Sequence, residues 1–322
     1  MSWLAGPANV ESSEMAREIT RADIAAAAER IAGLVRRTPT IDLGNALSGE
    51  WELMLKLEQL QVTGSFKPRG AFAMLRSVEI PEGGVVAASG GNFGAAVAYA
   101  AASLGCLATI FVPESSPQEK INRVVDLGAD VRVVPGFYDE ALAEAKTHVA
   151  QTGALEAHAY DQPEVMAGQG TIGREISEEC EADHVVVAVG GGGLIGGIAS
   201  WARDEMTVVA AEPVLCRSLN ASLKAGRQVE VDVGGVAASS LGARSVGDHP
   251  WAARRWIDHS VVVEDSAISA AQSWLWSELR LLVEPAAATT IAVLATGAFV
   301  PPRGSRVVAV LSGGNVSPAE VM

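Results

Sequence analysis

Thr63-Gly64-Ser65-Phe66-Lys67-Pro68-Arg69-Gly70-Ala71 sets one lysine between small residues and an aromatic ring, directly before an apolar helical run of Ala71, Phe72, Met74 and Leu75. A lysine so placed can present its amine to a flat electrophile. To act as a nucleophile near neutral pH it needs a lowered pKa, which desolvation or neighbouring cations supply. Taken alone, Lys67 also reads as a solvated lysine at a helix start.

Three glycine-rich loops lie outward of this stretch. Val85-Val86-Ala87-Ala88 reads as a strand and runs into Ser89-Gly90-Gly91-Asn92-Phe93-Gly94, followed by an alanine-rich helical run. Such a strand–loop–helix turns backbone N–H groups toward a carboxylate or phosphate at a helix N-terminus. Val185 to Val189 runs into Gly190-Gly191-Gly192-Gly193-Leu194, a loop that only glycine lines so closely. Val307 to Leu311 runs into Ser312-Gly313-Gly314-Asn315. All three loops follow the C-terminal ends of predicted strands, where open α/β sheets bind ligands. With Lys67, they point to pyridoxal phosphate, the cofactor that most often asks for a Schiff-base lysine.

The 322 residues are 49% hydrophobic, enough for one large or two moderate domains with substantial cores. A net charge of −14 argues against a nucleic-acid or anionic-membrane surface. Cys106, Cys180 and Cys216 are scattered and suggest neither a disulfide framework nor a CxxC metal site. No apolar run approaches the ~20 residues of a membrane span. Residues 1–14 lack the basic start and apolar core of a signal peptide and read as a tail, so a cytoplasmic protein is expected.

Strands and helices alternate along the chain. Thr20-Arg21-Ala22-Asp23 predicts a helix N-cap, with Ile24, Ala28, Ile31 and Val35 behind it at helical spacing. Strands are expected at residues 51–57, 107–112, 131–134 and 208–211, and helices at 118–127, 138–151, 167–180 and 268–282. Trp274 and Trp276 read as packing residues. This order implies mainly parallel sheets.

Arg37-Thr38-Pro39, Leu55-Lys56-Leu57-Glu58, the Lys67 nonapeptide, Ala167-Gly168-Gln169-Gly170-Thr171, the tetraglycine loop, Val283-Glu284-Pro285 and Ser312-Gly313-Gly314-Asn315 stand in the order found in one family. Over about residues 24–317 the chain resembles the serine/threonine dehydratases, pyridoxal-phosphate enzymes of fold type II. The resemblance implies an α/β fold with two open, mainly parallel twisted sheets flanked by helices. It also implies a small substrate-gripping domain, 81–155, inserted in a large cofactor-binding domain, 1–80 plus 156–322.

On this resemblance Lys67 would hold the cofactor and, once released, take the α-proton of the substrate. Phe66 would lie on one ring face, although it equally reads as a core aromatic. Gly190, Gly191, Gly192, Gly193 and Leu194 would bind the phosphate. Asn92 would hydrogen-bond the phenolic oxygen, and Ser312 would face the pyridine nitrogen. A hydroxyl there makes a weaker electron sink than a carboxylate, favouring rapid expulsion of a β-hydroxyl. Ser89, Gly90, Gly91, Asn92 and Phe93 would grip the substrate. The carbonyl of Gly235 would face the site. Glu284 would approach the ring or anchor a loop, and both readings stay open.

Departures from the family matter equally. Phe93 stands where the family commonly has His or another polar residue, making the pocket more apolar. Gly90 stands where its racemases have Ser, so elimination with little racemisation is expected. Glu212 and the Cys216 carbonyl match part of the family's cation site, but Ser218 replaces an Asp. One carboxylate attracts a divalent ion poorly, so no divalent metal is expected and a monovalent cation is the alternative.

The expected function is an ammonia-lyase that converts a β-hydroxy-α-amino acid, L-threonine or L-serine, to a 2-oxo acid and ammonia. The partner is thus a small amino acid, and a homodimer is expected. The chain ends shortly after the Ser312 loop, so we expect no C-terminal regulatory domain and a catabolic role. Alternatives are a dehydratase of a less common amino acid, as in hydroxyectoine breakdown, and an amino-acid racemase. A pyridoxal-phosphate-binding regulatory protein without chemistry is a third class. Gly191, Gly193 and Gly196 also satisfy a dinucleotide fingerprint with Glu212 about twenty residues on. An NAD-dependent dehydrogenase would explain neither Lys67 nor Ser312.

Overall fold

The computed structural model describes residues 16–321; the tail read at residues 1–14 lies outside them. Its strands are β1 (Thr40–Asp42), β2 (Glu52–Leu57), β3 (Val85–Ala88), β4 (Ala108–Pro113), β5 (Asp130–Val134), β6 (Leu155–Glu156), β7 (His184–Ala188), β8 (Thr207–Pro213), β9 (His259–Val263) and β10 (Arg306–Leu311). One sheet has the order β1-β2-β10-β7-β8-β9 and the other β5-β4-β3-β6. Every pairing is parallel except β1 with β2 at one edge.

The central strands show why. Every residue of β7, and Val307 to Leu311 of β10, is buried, so both faces of these valine-rich runs are covered. Parallel sheets require such cover, because their crossover helices pack on both sides. Helix Pro285–Ala295 packs on one face of the larger sheet and helix Gly193–Ala202 on the other. The helices Arg21–Ile31, Lys67–Leu75, Asn92–Leu104 and part of Pro163–Glu179 share a core with the smaller sheet.

Local signals placed most boundaries within a few residues. Thr20 caps its helix with a capping box: Thr20 Oγ1 accepts from Asp23 N at 3.2 Å and Asp23 Oδ2 accepts from Thr20 N at 2.8 Å. That helix stops at Ile31, so Val35 packs on the core from a loop rather than a fourth turn. The helix expected from Ala167 begins at Pro163, because proline is well suited to the first helical turn. The helix expected over 268–282 spans Asp265–Leu279 and ends on Arg280 in a left-handed conformation, φ 56°.

Candidate active site

Lys67 opens the helix Lys67–Leu75, and Pro68 behind it starts the turn. Its Nζ donates to the Ala159 carbonyl at 2.9 Å. It lies 5.0 Å from the Phe66 ring centroid and 5.5 Å from that of Phe93. Desolvation lowers the amine to about 8 from its ordinary 10.5, while the Glu284 carboxylate pulls in the opposite direction. Phe93 therefore takes part in desolvating the amine, a contact the sequence reading did not foresee.

Ser312 reaches this lysine through the backbone. Phe66 N donates to the Ser312 carbonyl at 3.0 Å, and Ser65 bridges Gly313 in antiparallel fashion. The loop following β10 is thus laced to the lysine loop, with Ser312 buried. Thr63, a non-glycine at φ 59°, turns its carbonyl toward two donors, Arg123 Nη2 at 2.6 Å and Asn315 Nδ2 at 2.9 Å.

Asn92 and Glu284 meet here as well. Asn92 Nδ2 donates to both Glu284 oxygens at 2.9 and 3.0 Å, and Asn92 Oδ1 accepts from Asn315 Nδ2 at 2.7 Å. Glu284 further accepts from Asn315 N at 2.9 Å and Ser240 Oγ at 2.8 Å. Glu284 thus ties loops together, and its charge acts on Lys67. A cofactor contact at Asn92 would have to share or replace these bonds.

The tetraglycine loop joins β7 to the helix Gly193–Ala202, whose first-turn N–H groups have no intrahelical acceptor. A Cβ on Gly191 would stand 2.4 Å from the Tyr160 ring, and Gly192 sits at φ 95°. The loop is therefore a cradle that side chains would fill. Ser89 Oγ accepts from Gly91 N at 3.4 Å. The Gly235 carbonyl accepts from Ala238 N at 3.3 Å.

Glu212, Cys216 and Ser218 are all buried. Glu212 accepts from Leu219 N at 2.9 Å and Asn220 N at 2.7 Å, and burial pushes its carboxyl up to about 8. Cys216 Sγ donates to the Gly234 carbonyl at 3.2 Å and Ser218 Oγ to Gly190 at 3.2 Å. Among the described residues no group of three or more His, Cys, Asp or Glu could hold a metal ion.

Two of the quoted motifs resolve into support rather than chemistry. Arg69 is fully buried between Glu58 (2.8 Å) and Glu175 (2.7 Å), and buried Lys56 pairs with Glu175 and Glu179 at 2.8 and 2.9 Å. Thr38 donates to Glu58. This ion network fixes the helix that starts with Lys67.

Sequence reasoning missed the segment from His158 to Gln162. Ala159 holds the lysine amine through a main-chain carbonyl, which leaves no side-chain signal. Tyr160 covers the glycine loop, and a cavity of about 390 Å³ opens beside it, lined by His158, Tyr160, Gln228, Ser245 and Asp248. A larger cavity of about 650 Å³ lies by Glu52, Glu179 and Arg306, at the N-terminal ends of β2 and β10 and away from the lysine.

A partly desolvated amine, a side-chain-free cradle at a helix N-terminus and a buried serine loop beside the amine fit pyridoxal phosphate. The model of the pyridoxal-phosphate dependent enzymes matches residues 31–313. The chain belongs to this family. The enzyme is 36% identical over 308 residues to an L-threonine ammonia-lyase of Thermotoga maritima, covering 92% of this chain and 76% of that one. It superposes on maize serine racemase with a TM-score of 0.88 at 30% identity, covering 95% and 96% of the two chains. Threonine deaminase isoform 2 of Solanum lycopersicum gives 0.86 at 30% identity, covering 95% and 94%. The architecture is fold type II, as its two mainly parallel sheets indicate. Among the described residues no helix is long and apolar enough to cross a membrane.

Proposed function

We propose that the enzyme is a pyridoxal-phosphate-dependent ammonia-lyase that converts L-threonine or L-serine to a 2-oxo acid and ammonia. The observation carrying this reading is the Lys67 amine, partly desolvated between Phe66 and Phe93 and laced to the Ser312 loop. The likeness to threonine ammonia-lyases supports the choice of substrate.

Pyridoxal phosphate, when bound, supplies the electron sink that acidifies the α-C–H of an amino acid. Lys67 would hold it covalently, Gly190 to Leu194 its phosphate, Asn92 its phenolic oxygen and Ser312 its ring nitrogen, with Phe66 on one face. An amine with a pKa near 8 is partly unprotonated at neutral pH, so Lys67 Nζ can accept the α-proton. The first-turn amides of helix Asn92–Leu104 and the 89–91 loop would orient the substrate carboxylate. Loss of the β-hydroxyl as water, followed by hydrolysis, gives the 2-oxo acid and ammonia. Residues 81–155 would form the substrate-gripping domain, with the remainder holding the cofactor.

Buried Glu212 is the carboxylate that a monovalent cation would use, with the Cys216 carbonyl and Ser218 as further ligands. A cytoplasmic, catabolic homodimer completes the reading. One observation favours a second substrate class: the Phe93 ring beside Lys67 makes the pocket apolar, suiting a β-hydroxy amino acid other than threonine or serine. The test is a screen of β-hydroxy amino acids for 2-oxo acid release by the reconstituted enzyme, with borohydride fixing the cofactor for peptide mapping. Label on Lys67 with 2-oxo acid release is the expected outcome; release of 2-oxo acid from none of them would refute it.

A further inference from the structure

β3 and β4 are adjacent and parallel, so the loops after them open at the same end of the sheet. Gly90 lies in the first loop, two residues before Asn92 and three before Phe93. Ser116 lies in the second, its N–H donating to the Pro113 carbonyl at 2.9 Å. A Cβ built on Gly90 would stand 2.6 Å from Ser116 Oγ and 3.2 Å from Ser116 Cβ. The serine thus occupies the space a side chain at position 90 would enter. Ser116 is half-buried, and its hydroxyl has no hydrogen-bond partner among the described residues.

Glycine at 90 has two consequences. It leaves the loop amides open to a carboxylate, and it makes room for a hydroxyl delivered from the neighbouring loop. A hydroxyl without a protein partner, next to amides at a helix N-terminus, is a donor available to the same anion. We propose that Ser116 is a substrate-binding residue whose hydroxyl, seated in the space left by Gly90, donates to the carboxylate of the amino acid held by the 89–92 loop. The inference rests on the proposed function and adds a residue to its substrate site.

Two variants of the holoenzyme test it. Ser116→Ala should raise KM for L-threonine or L-serine roughly tenfold, the loss of one hydrogen bond to a charged group. Its kcat should hardly change, because a carboxylate contact serves ground state and transition state alike. Gly90→Ser should lower the melting temperature of the cofactor-free protein by crowding Ser116, and adding Ser116→Ala should restore it. An unchanged KM in Ser116→Ala, or a fall in kcat alone, overturns the proposal. If the natural enzyme releases 2-oxo acid from no β-hydroxy amino acid, the functional reading falls separately. Ser116 is then read from the absorbance change of bound cofactor on amino-acid titration. That titration should move to higher concentration in Ser116→Ala, and an unmoved curve overturns the proposal.

Discussion

Asn92 and Glu284 are joined by two hydrogen bonds, from Nδ2 to both carboxylate oxygens, across 192 residues of sequence. Asn92 opens the helix after β3 in the smaller sheet, whereas Glu284 caps the helix Pro285–Ala295 that packs on the larger one. The pair therefore ties the two sheets together at the lysine. Because Glu284 is the charge that raises the Lys67 pKa against burial, it also sets the protonation of the amine.

That coupling can be measured. Glu284→Gln removes the charge but keeps one acceptor oxygen for Asn315 N, while its amide N–H can donate to Ser240 Oγ, so the Lys67 pKa should fall further below its ordinary value. We predict that the pH profile for pyridoxal phosphate reconstitution shifts to lower pH in this variant. A profile that stays in place would show that Glu284 does not act on the amine.

Lys67→Ala should abolish turnover and the borohydride-fixable chromophore. Lys56, although buried, is held by Glu175 and Glu179 and cannot substitute. A reducible chromophore with normal turnover in the variant would refute the assignment.

The depressed lysine pKa also predicts a pH-dependent stability. Between about 8 and 10.5 the unfolded chain holds a proton on Lys67 that the folded chain has lost. Cofactor-free protein should therefore gain stability from this group as pH rises through that window, and carry the full cost below it. Lys67→Met should be the more stable protein near neutral pH, with the gap closing toward the upper end of the window. Solvent reaching this half-buried chain screens the charge and keeps the effect modest. Equal melting temperatures near neutral pH would count against a desolvated amine.

On the proposed role of Ser312 at the ring nitrogen, Ser312→Asp should hold that nitrogen protonated and slow elimination. A loss of about a hundredfold in kcat corresponds to roughly 2.7 kcal/mol of barrier. Stopped-flow assay of 2-oxo acid release checks it, and unchanged rates would place Ser312 away from the nitrogen.

Stereochemistry depends on position 90. The natural enzyme should form little D-isomer per 2-oxo acid released from an L-substrate. Because Ser116 crowds the site, the racemase fraction should rise in Gly90→Ser combined with Ser116→Ala rather than in Gly90→Ser alone. Chiral chromatography gives the ratio; comparable D-isomer and 2-oxo acid from the natural protein would make racemisation the primary reading.

The valine runs of β7 and β10, the Thr20 cap, the glycine loops and the lysine loop were legible in the sequence. Each is a local signal, a period, a cap or a backbone that excludes side chains, and its meaning survives in a short window. The three-residue edge strand β1 and the helix Pro285–Ala295 went unread. The first is too short to show a period, and the second is buried throughout 286–294, so it shows no amphipathic period. Tertiary structure alone decided what surrounds the amine. Ala159 contributes a carbonyl that any residue would carry, and Phe93 desolvates Lys67 from another element. Glu284 reaches Asn92 across most of the chain. Ser116 fills the gap at Gly90 only because β3 and β4 are neighbours. Residue types and spacing determined which chemistry the chain can hold. Contacts between distant segments, which leave no period or local motif, decided the electrostatics and shape of the site.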